Sequence, residues 1–158
     1  PHIYGDVEAN DEKTVKANWE KLKLKEGNES VLEGVPRSLP SLVKAYRIQD
    51  KVRGVGFDWD NADQVLDKVN EELGELAYEV DNKSERIADE FGDVLFALIN
   101  YSRFLDVNPD EALERTNLRF IKRFKHLERA IKADGKDLGE MPLKEMEEYW
   151  SRAKTALG

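Results

Sequence analysis

Between Ala62 and Val80 the apolar residues fall at steps of three and four: Ala62, Val65, Leu66, Val69, Leu73, Leu76, Ala77 and Val80. That period commits the segment to a helix with one apolar stripe, because a strand would scatter the same residues over both faces. Asp60 or Asn61 can cap its start. Asn82-Lys83-Ser84 is then a tight turn, with Ser84 capping a second helix that carries Ile87, Phe91, Val94, Leu95, Leu98 and Tyr101. The chain is thereby constrained to contain a helical hairpin.

The flanking sequence keeps the same period. Glu12 to Lys25 suggests a short charged helix with Val15, Trp19 and Leu22 on its apolar side. Residues 27–40 hold two Gly, two Pro, Asn and Ser, and are expected to be a linker. Leu42, Val43, Tyr46 and Ile48 predict a helix after Pro40, broken by Gly54, Gly56 and Phe57-Asp58-Trp59. Asn108-Pro109-Asp110-Glu111 is a strong helix start, and Leu113, Phe120, Ile121, Phe124, Leu127 and Ile131 follow it. Gly135 to Gly139 is a loop, and Pro142 opens a last helix with Leu143, Met146, Trp150 and Ala153. No segment alternates as a strand does. The expected fold is all-α, an antiparallel helical bundle.

Composition narrows the function. The 158 residues suit one compact domain, or one plus a short extra piece. With no cysteine and only His2 and His126, any metal must be held mostly by oxygen. The net charge of −8 disfavours duplex nucleic acid, which needs a basic face. No apolar run approaches the ~20 residues of a membrane span, and no signal pattern opens the chain, so the cytoplasm fits best. The start at Pro1 without Met suggests a piece of a longer protein.

Four acids carry the chemistry: Glu72, Glu75, Glu90 and Asp93. Each pair is three residues apart, so its members share a helix face about 4.5 Å apart along the axis. Both pairs lie beside the apolar stripe, where a carboxylate is partly dehydrated and needs compensation. Residues 75 and 90 are equally distant from the turn, as are 72 and 93. A hairpin turning at Asn82-Lys83 therefore brings Glu75 level with Glu90, and Glu72 level with Asp93. Carboxylates so close take up protons or bind cations. Hard oxygen donors point to magnesium, with manganese as a substitute.

Lys68 stands four residues before Glu72, and Arg86 four before Glu90. Arg119 and Arg123 add two cations on the next long helix. Metal-holding acids ringed by Lys and Arg suit a polyphosphate. The bland readings differ for each feature. A lone Glu-x-x-Glu is ordinarily a solvated face, and Arg119 and Arg123 alone are ordinarily surface ion-pair partners. Trp150 alone is more often core than base-stacking. A di-iron bundle would need Glu-x-x-His motifs, which neither acid pair supplies.

These residues resemble the MazG family of all-α nucleoside triphosphate pyrophosphohydrolases. The motif stands here as Glu71-Glu72-Leu73-Gly74-Glu75 and Glu90-Phe91-Gly92-Asp93. The segments Lys44 to Lys51 and Val55 to Trp59 also match, as do Gly92 to Phe96, Asn100, Arg103, Ala112-Leu113 and Asn117 to Phe124. The resemblance implies that Glu72, Glu75, Glu90 and Asp93 hold magnesium. It implies nucleotide contacts from Lys68, Glu71, Arg86, Asp89, Arg119, Arg123 and Trp150, with Arg119 standing where family members commonly have Lys. The implied reaction is hydrolysis of a nucleoside triphosphate to monophosphate and pyrophosphate by metal-activated water, with Glu71 or Glu75 as the base. A homodimer completing the bundle is implied as well.

Longer members carry two copies of the domain. Asn18-Trp19-Glu20-Lys21-Leu22-Lys23 faintly echoes Tyr149-Trp150-Ser151-Arg152-Ala153-Lys154. The expected organisation is residues 1–26 as the tail of an upstream copy plus a linker helix, 27–40 as linker, and 41–158 as the catalytic domain. The rival function is a catalytically silent helical module that binds nucleotides or another protein. Base preference, metal count and biological role are not written in the sequence.

Overall fold

The computed structural model describes residues 14–16, 18, 19, 21, 22, 27 and 29–158. Five α-helices are bounded in it: α1 Ser41–Gly54, α2 Ala62–Asp81, α3 Ile87–Phe104, α4 Pro109–Ala133 and α5 Leu143–Leu157. A 3-10 turn, Leu138–Glu140, precedes α5. No strand occurs among the described residues. The expected helix from Glu12 to Lys25 falls partly outside them. Residues 14–16, 18, 19, 21 and 22 of it are helical, with Val15, Trp19 and Leu22 exposed.

Local chemistry sets the helix ends. Asn61 Oδ1 accepts from the Gln64 backbone N–H at 3.0 Å, while the Asp60 N–H donates to Gln64 Oε1 at 2.8 Å. This reciprocal pair starts α2 at Ala62, and Asn61 rather than Asp60 is the cap. At the other end Lys83 takes a left-handed φ of 50°. Its N–H donates to Val80 O and that of Ser84 to Glu79 O, which satisfies carbonyls the helix leaves open. Ser84 was expected to cap α3 directly. Its Oγ instead accepts from the Arg86 N–H at 2.9 Å, and α3 begins at Ile87 without a side-chain cap. The hydroxyl holds the turn before the helix, because two further residues are spent reversing the chain. Pro109 occupies the first position of α4, as a residue with no N–H to satisfy should.

Backbone contacts divide the chain into two compact units, one running to Pro109 and one from Asp110 to Gly158. In the first, α2 and α3 pack along their length as an antiparallel hairpin, and α1 packs against α3. Val65, Val69, Val94, Ala97 and Ile99 are buried there. Other stripe residues are not: Leu66, Leu73, Val80, Phe91, Leu95 and Leu98 are exposed on the single chain. A hairpin covers only one side of each helix, whereas these stripes are wider. The loop after α1 is held by Arg103, whose two terminal nitrogens donate to Asp58 Oδ1 at 2.6 Å and Oδ2 at 3.2 Å.

The second unit has its own core of Leu127, Ile131, Met141 and Tyr149, with Phe124, Met146 and Trp150 packed against it. The Tyr149 hydroxyl is satisfied by donating to Asp134 Oδ2 at 2.6 Å. That bond anchors α5 to the C-terminal end of α4.

Candidate functional site

The hairpin brings one carboxylate oxygen each of Glu72, Glu90 and Asp93 within 4.8 Å of one another. Glu72 and Glu90 are 7% and 5% exposed, which separates them from ordinary surface acids; Asp93 is exposed. Their burial follows from position. Glu72 stands three residues after Val69 and Glu90 four before Val94, so both flank the buried seam.

Each buried carboxylate is half satisfied. Lys68 Nζ pairs with Glu72 Oε1 at 2.8 Å and with Glu71 Oε2 at 3.3 Å. Arg86 Nη2 pairs with Glu90 Oε1 at 3.3 Å. The other oxygens, Glu72 Oε2 and Glu90 Oε2, are buried with no partner. An unpartnered buried acceptor costs about 1–3 kcal/mol, and more when charged. Two such atoms on facing helices, with Asp93 beside them, fit a divalent cation, which would satisfy all three at once. An all-oxygen donor set suits a hard ion.

Glu75 adjoins this trio. Its pKa is raised, first by the neighbouring Glu72 carboxylate, then by partial dehydration and by the Glu90 charge. A cation arriving among these acids would offset that repulsion.

The same acids act on Lys68. Its pKa is raised chiefly by the hydrogen bond to Glu72, against an opposing dehydration effect, with Glu71 adding to the rise. The pair therefore stabilises the fold below the ordinary lysine value of 10.5, and the contribution is lost as pH rises through the raised one. Lys68→Met is expected to lower metal-free stability at neutral pH by about 1–2 kcal/mol, a buried-pair value discounted because the lysine is a third exposed. Denaturant unfolding measures this. Saturating magnesium should recover most of the loss, since a cation then partners Glu72; a loss unaffected by magnesium would count against the metal reading.

A shallow hollow of about 480 Å³ lies over the same group, lined by Glu71, Gly74, Glu75, Tyr78, Glu79, Arg86 and Glu90. The first unit thus gathers Lys68, Glu71, Glu72, Glu75, Arg86, Glu90 and Asp93. Asp89 is exposed in the first turn of α3. Arg119, Arg123 and Trp150 belong to the second unit. Arg119 is exposed and donates to Thr116 Oγ1 at 3.4 Å. Arg123 donates to Gly158 O at 3.1 Å, and its Nε is buried without a partner. The Trp150 ring is half-buried, 5.1 Å from that of Phe120.

Sequence reasoning assigned no role to Gln49, a polar residue 4% exposed, or to the Asp58–Arg103 pair. The signal for Gln49 was present: it stands seven residues after Leu42 and three after Tyr46, on the apolar side of α1.

Comparison with known proteins agrees with the geometry. Residues 61–128 match the MazG nucleotide pyrophosphohydrolase domain. The chain is 37% identical over 161 residues to the nucleoside triphosphate pyrophosphohydrolase of Escherichia coli K12, covering 98% of this chain and 61% of that protein. It is 38% identical over 157 residues to the nucleoside triphosphate pyrophosphohydrolase/pyrophosphatase MazG of Thermotoga maritima, covering 98% and 59%. It is also 42% identical over 164 residues to the uncharacterized protein YabN of Bacillus subtilis, covering 98% and 32%. The chain thus spans about three-fifths of the first two relatives. The matched segment, 61–128, contains all four acids and both of their basic partners. Residues 61–128 thus match a MazG nucleotide pyrophosphohydrolase domain, and nearly the whole chain is similar to about three-fifths of two nucleoside triphosphate pyrophosphohydrolases.

Proposed function

We propose that this chain hydrolyses nucleoside triphosphates to a nucleoside monophosphate and pyrophosphate, with Glu72, Glu75, Glu90 and Asp93 holding magnesium. The observation that carries the proposal is the pair of buried, unpartnered oxygens, Glu72 Oε2 and Glu90 Oε2, in a cluster with Asp93. A divalent ion held by these carboxylates would supply Lewis acidity toward phosphate and help activate water. The oxygen of water bonds to the α-phosphorus, the bond from that phosphorus to the bridging oxygen breaks, and pyrophosphate leaves. A carboxylate takes the proton of the attacking water. Glu75 is suited to it by a pKa raised toward the working pH, and Glu71 is the other candidate. Lys68 and Arg86 neutralise charge growing on the leaving group. Arg119, Arg123, Asp89 and Trp150 keep the nucleotide contacts the family resemblance implies.

The active species in this proposal is a homodimer in the cytoplasm. The exposed Leu73, Phe91, Leu95 and Leu98 support self-association, since a second copy would cover them. No helix among the described residues is long and apolar enough to cross a membrane. The proposed organisation keeps residues 41–158 as the catalytic part of a longer, two-domain protein.

Pyrophosphate release from a panel of nucleoside triphosphates, with magnesium and with chelator, tests the reaction. Magnesium-dependent release is expected. A folded protein that binds nucleotides without releasing pyrophosphate would instead be the silent module.

A further inference from the structure

The hollow over the acid cluster extends past the residues that the chemistry above uses. Of its lining, Glu71, Glu75, Arg86 and Glu90 have roles there, while Gly74, Tyr78 and Glu79 have none. Glu79 is the charged one of these three. It is half-buried, and its carboxylate makes no hydrogen bond or ion pair among the described residues. A partly dehydrated carboxylate without a partner is unfavourable, and no contact in the hairpin offsets this one.

The hairpin sets its place. Glu79 stands four residues beyond Glu75, one helical turn nearer the chain reversal, about 6 Å along the axis. Residues 79 and 86 are equally distant from the midpoint of that reversal, so Glu79 lies level with Arg86, as Glu75 lies level with Glu90. Arg86 is the only cation in the lining, and its pair with Glu90 at 3.3 Å leaves the side chain 67% exposed. Beyond this level α2 ends at Asp81, and Lys83 of the turn does not line the hollow. One cation therefore serves the whole of it, with an unpartnered acid opposite.

We propose that Glu79 limits the length of phosphate chain the site accepts: Arg86 offsets the terminal phosphate of a triphosphate, and the Glu79 carboxylate repels any phosphate beyond it. The proposal rests on the nucleoside triphosphate reading above and adds a selection that reading lacks. Bulk cannot supply this selection, because the hollow is shallow and a Cβ at Gly74 would meet nothing within 4 Å. An uncompensated like charge can, since a partner that brings a further negative group against it is disfavoured.

The test compares kcat/KM for adenosine triphosphate and adenosine tetraphosphate with magnesium, read as release of adenosine monophosphate. Water bonds to the α-phosphorus in both, and pyrophosphate leaves from one, tripolyphosphate from the other. The triphosphate is expected to be favoured about tenfold, the effect of one like charge about 6 Å away at a screening between that of water and that of a protein surface. Glu79→Gln keeps the side chain's shape and should remove most of that preference. Glu79→Asp keeps the charge and should retain most of it. Asp81→Asn removes the same charge from an exposed position outside the hollow, and should leave the ratio standing. Calorimetric binding of pyrophosphate and of tripolyphosphate, each with magnesium, gives a readout that needs no turnover. A Glu79-dependent preference for pyrophosphate in a protein that releases no monophosphate would sink the reaction and keep the role of Glu79. Equal turnover of the two nucleotides, a preference unchanged in Glu79→Gln, or one lost equally in Asp81→Asn would overturn that role, as would a folded protein that takes up neither anion.

Discussion

Glu72→Gln is expected to lower magnesium-dependent pyrophosphate release by at least about a thousandfold, the several kcal/mol that a catalytic metal contributes. The substitution keeps the shape of the side chain and removes its charge. Three effects follow from the geometry. The cation loses a ligand whose free oxygen is buried and already dehydrated. Glu75 loses the neighbour that contributes most to its raised pKa, so its titration moves down toward the ordinary carboxylate range. Lys68 keeps only Glu71 as an acidic partner. The metal-free protein should be no less stable than the wild type, because a buried charge has gone from a cluster of like charges. Adding magnesium should no longer raise its melting temperature. Steady-state kinetics and thermal melts with and without magnesium measure both halves. A variant retaining full turnover would remove Glu72 from the metal site.

Ile131→Ala should have the largest effect on stability, a loss of about 3 kcal/mol by cavity formation in a closely packed site. Ile131 is 1% exposed and sits in the cluster with Leu127, Met141 and Tyr149. The only polar atom in that cluster's side chains with a bond to make, the Tyr149 hydroxyl, is committed to Asp134. A collapse that filled the hole would strain this bond, so relaxation should be small and the cost near the middle of the known range. Against a total of 5–15 kcal/mol for a typical domain, that is a large fraction. Denaturant unfolding gives the free energy. Hydrogen exchange should show the loss of protection concentrated in residues 110–158, and a loss spread evenly over the chain would contradict the division into two units.

The hairpin was legible because its signals are local. The three- and four-residue steps, the cap at Asn61 and the turn at Asn82 to Ser84 each act within a few residues. The acid cluster was legible for the same reason, since equal distances from one turn place Glu72 and Asp93 at one height. What the period does not encode is what covers a stripe. Leu73, Phe91 and Leu98 belong to the apolar pattern, yet the single chain leaves them exposed. Ser84 shows another limit: the residue type was right for a cap, but its distance from the helix depends on how the chain reverses. Asp58 and Arg103 are 45 residues apart, and nothing short of the packed loop reveals their pairing. Gln49 could be located on an apolar helix face from the sequence. That its oxygen lacks a partner could not, because this depends on which groups α3 presents to it.

The most direct test of the metal centre is a calorimetric titration of the metal-free protein with manganese, alongside the Glu90→Gln variant. Glu90 is the better probe here, since its unpartnered oxygen lies on the helix opposite Glu72. The account predicts saturable binding and stabilisation of about 2.7 kcal/mol at a hundredfold excess over Kd. Both should be lost or greatly weakened in the variant. Binding that is equally tight in Glu90→Gln, or a folded wild-type protein that takes up no manganese, would contradict the assignment of these carboxylates as a metal centre.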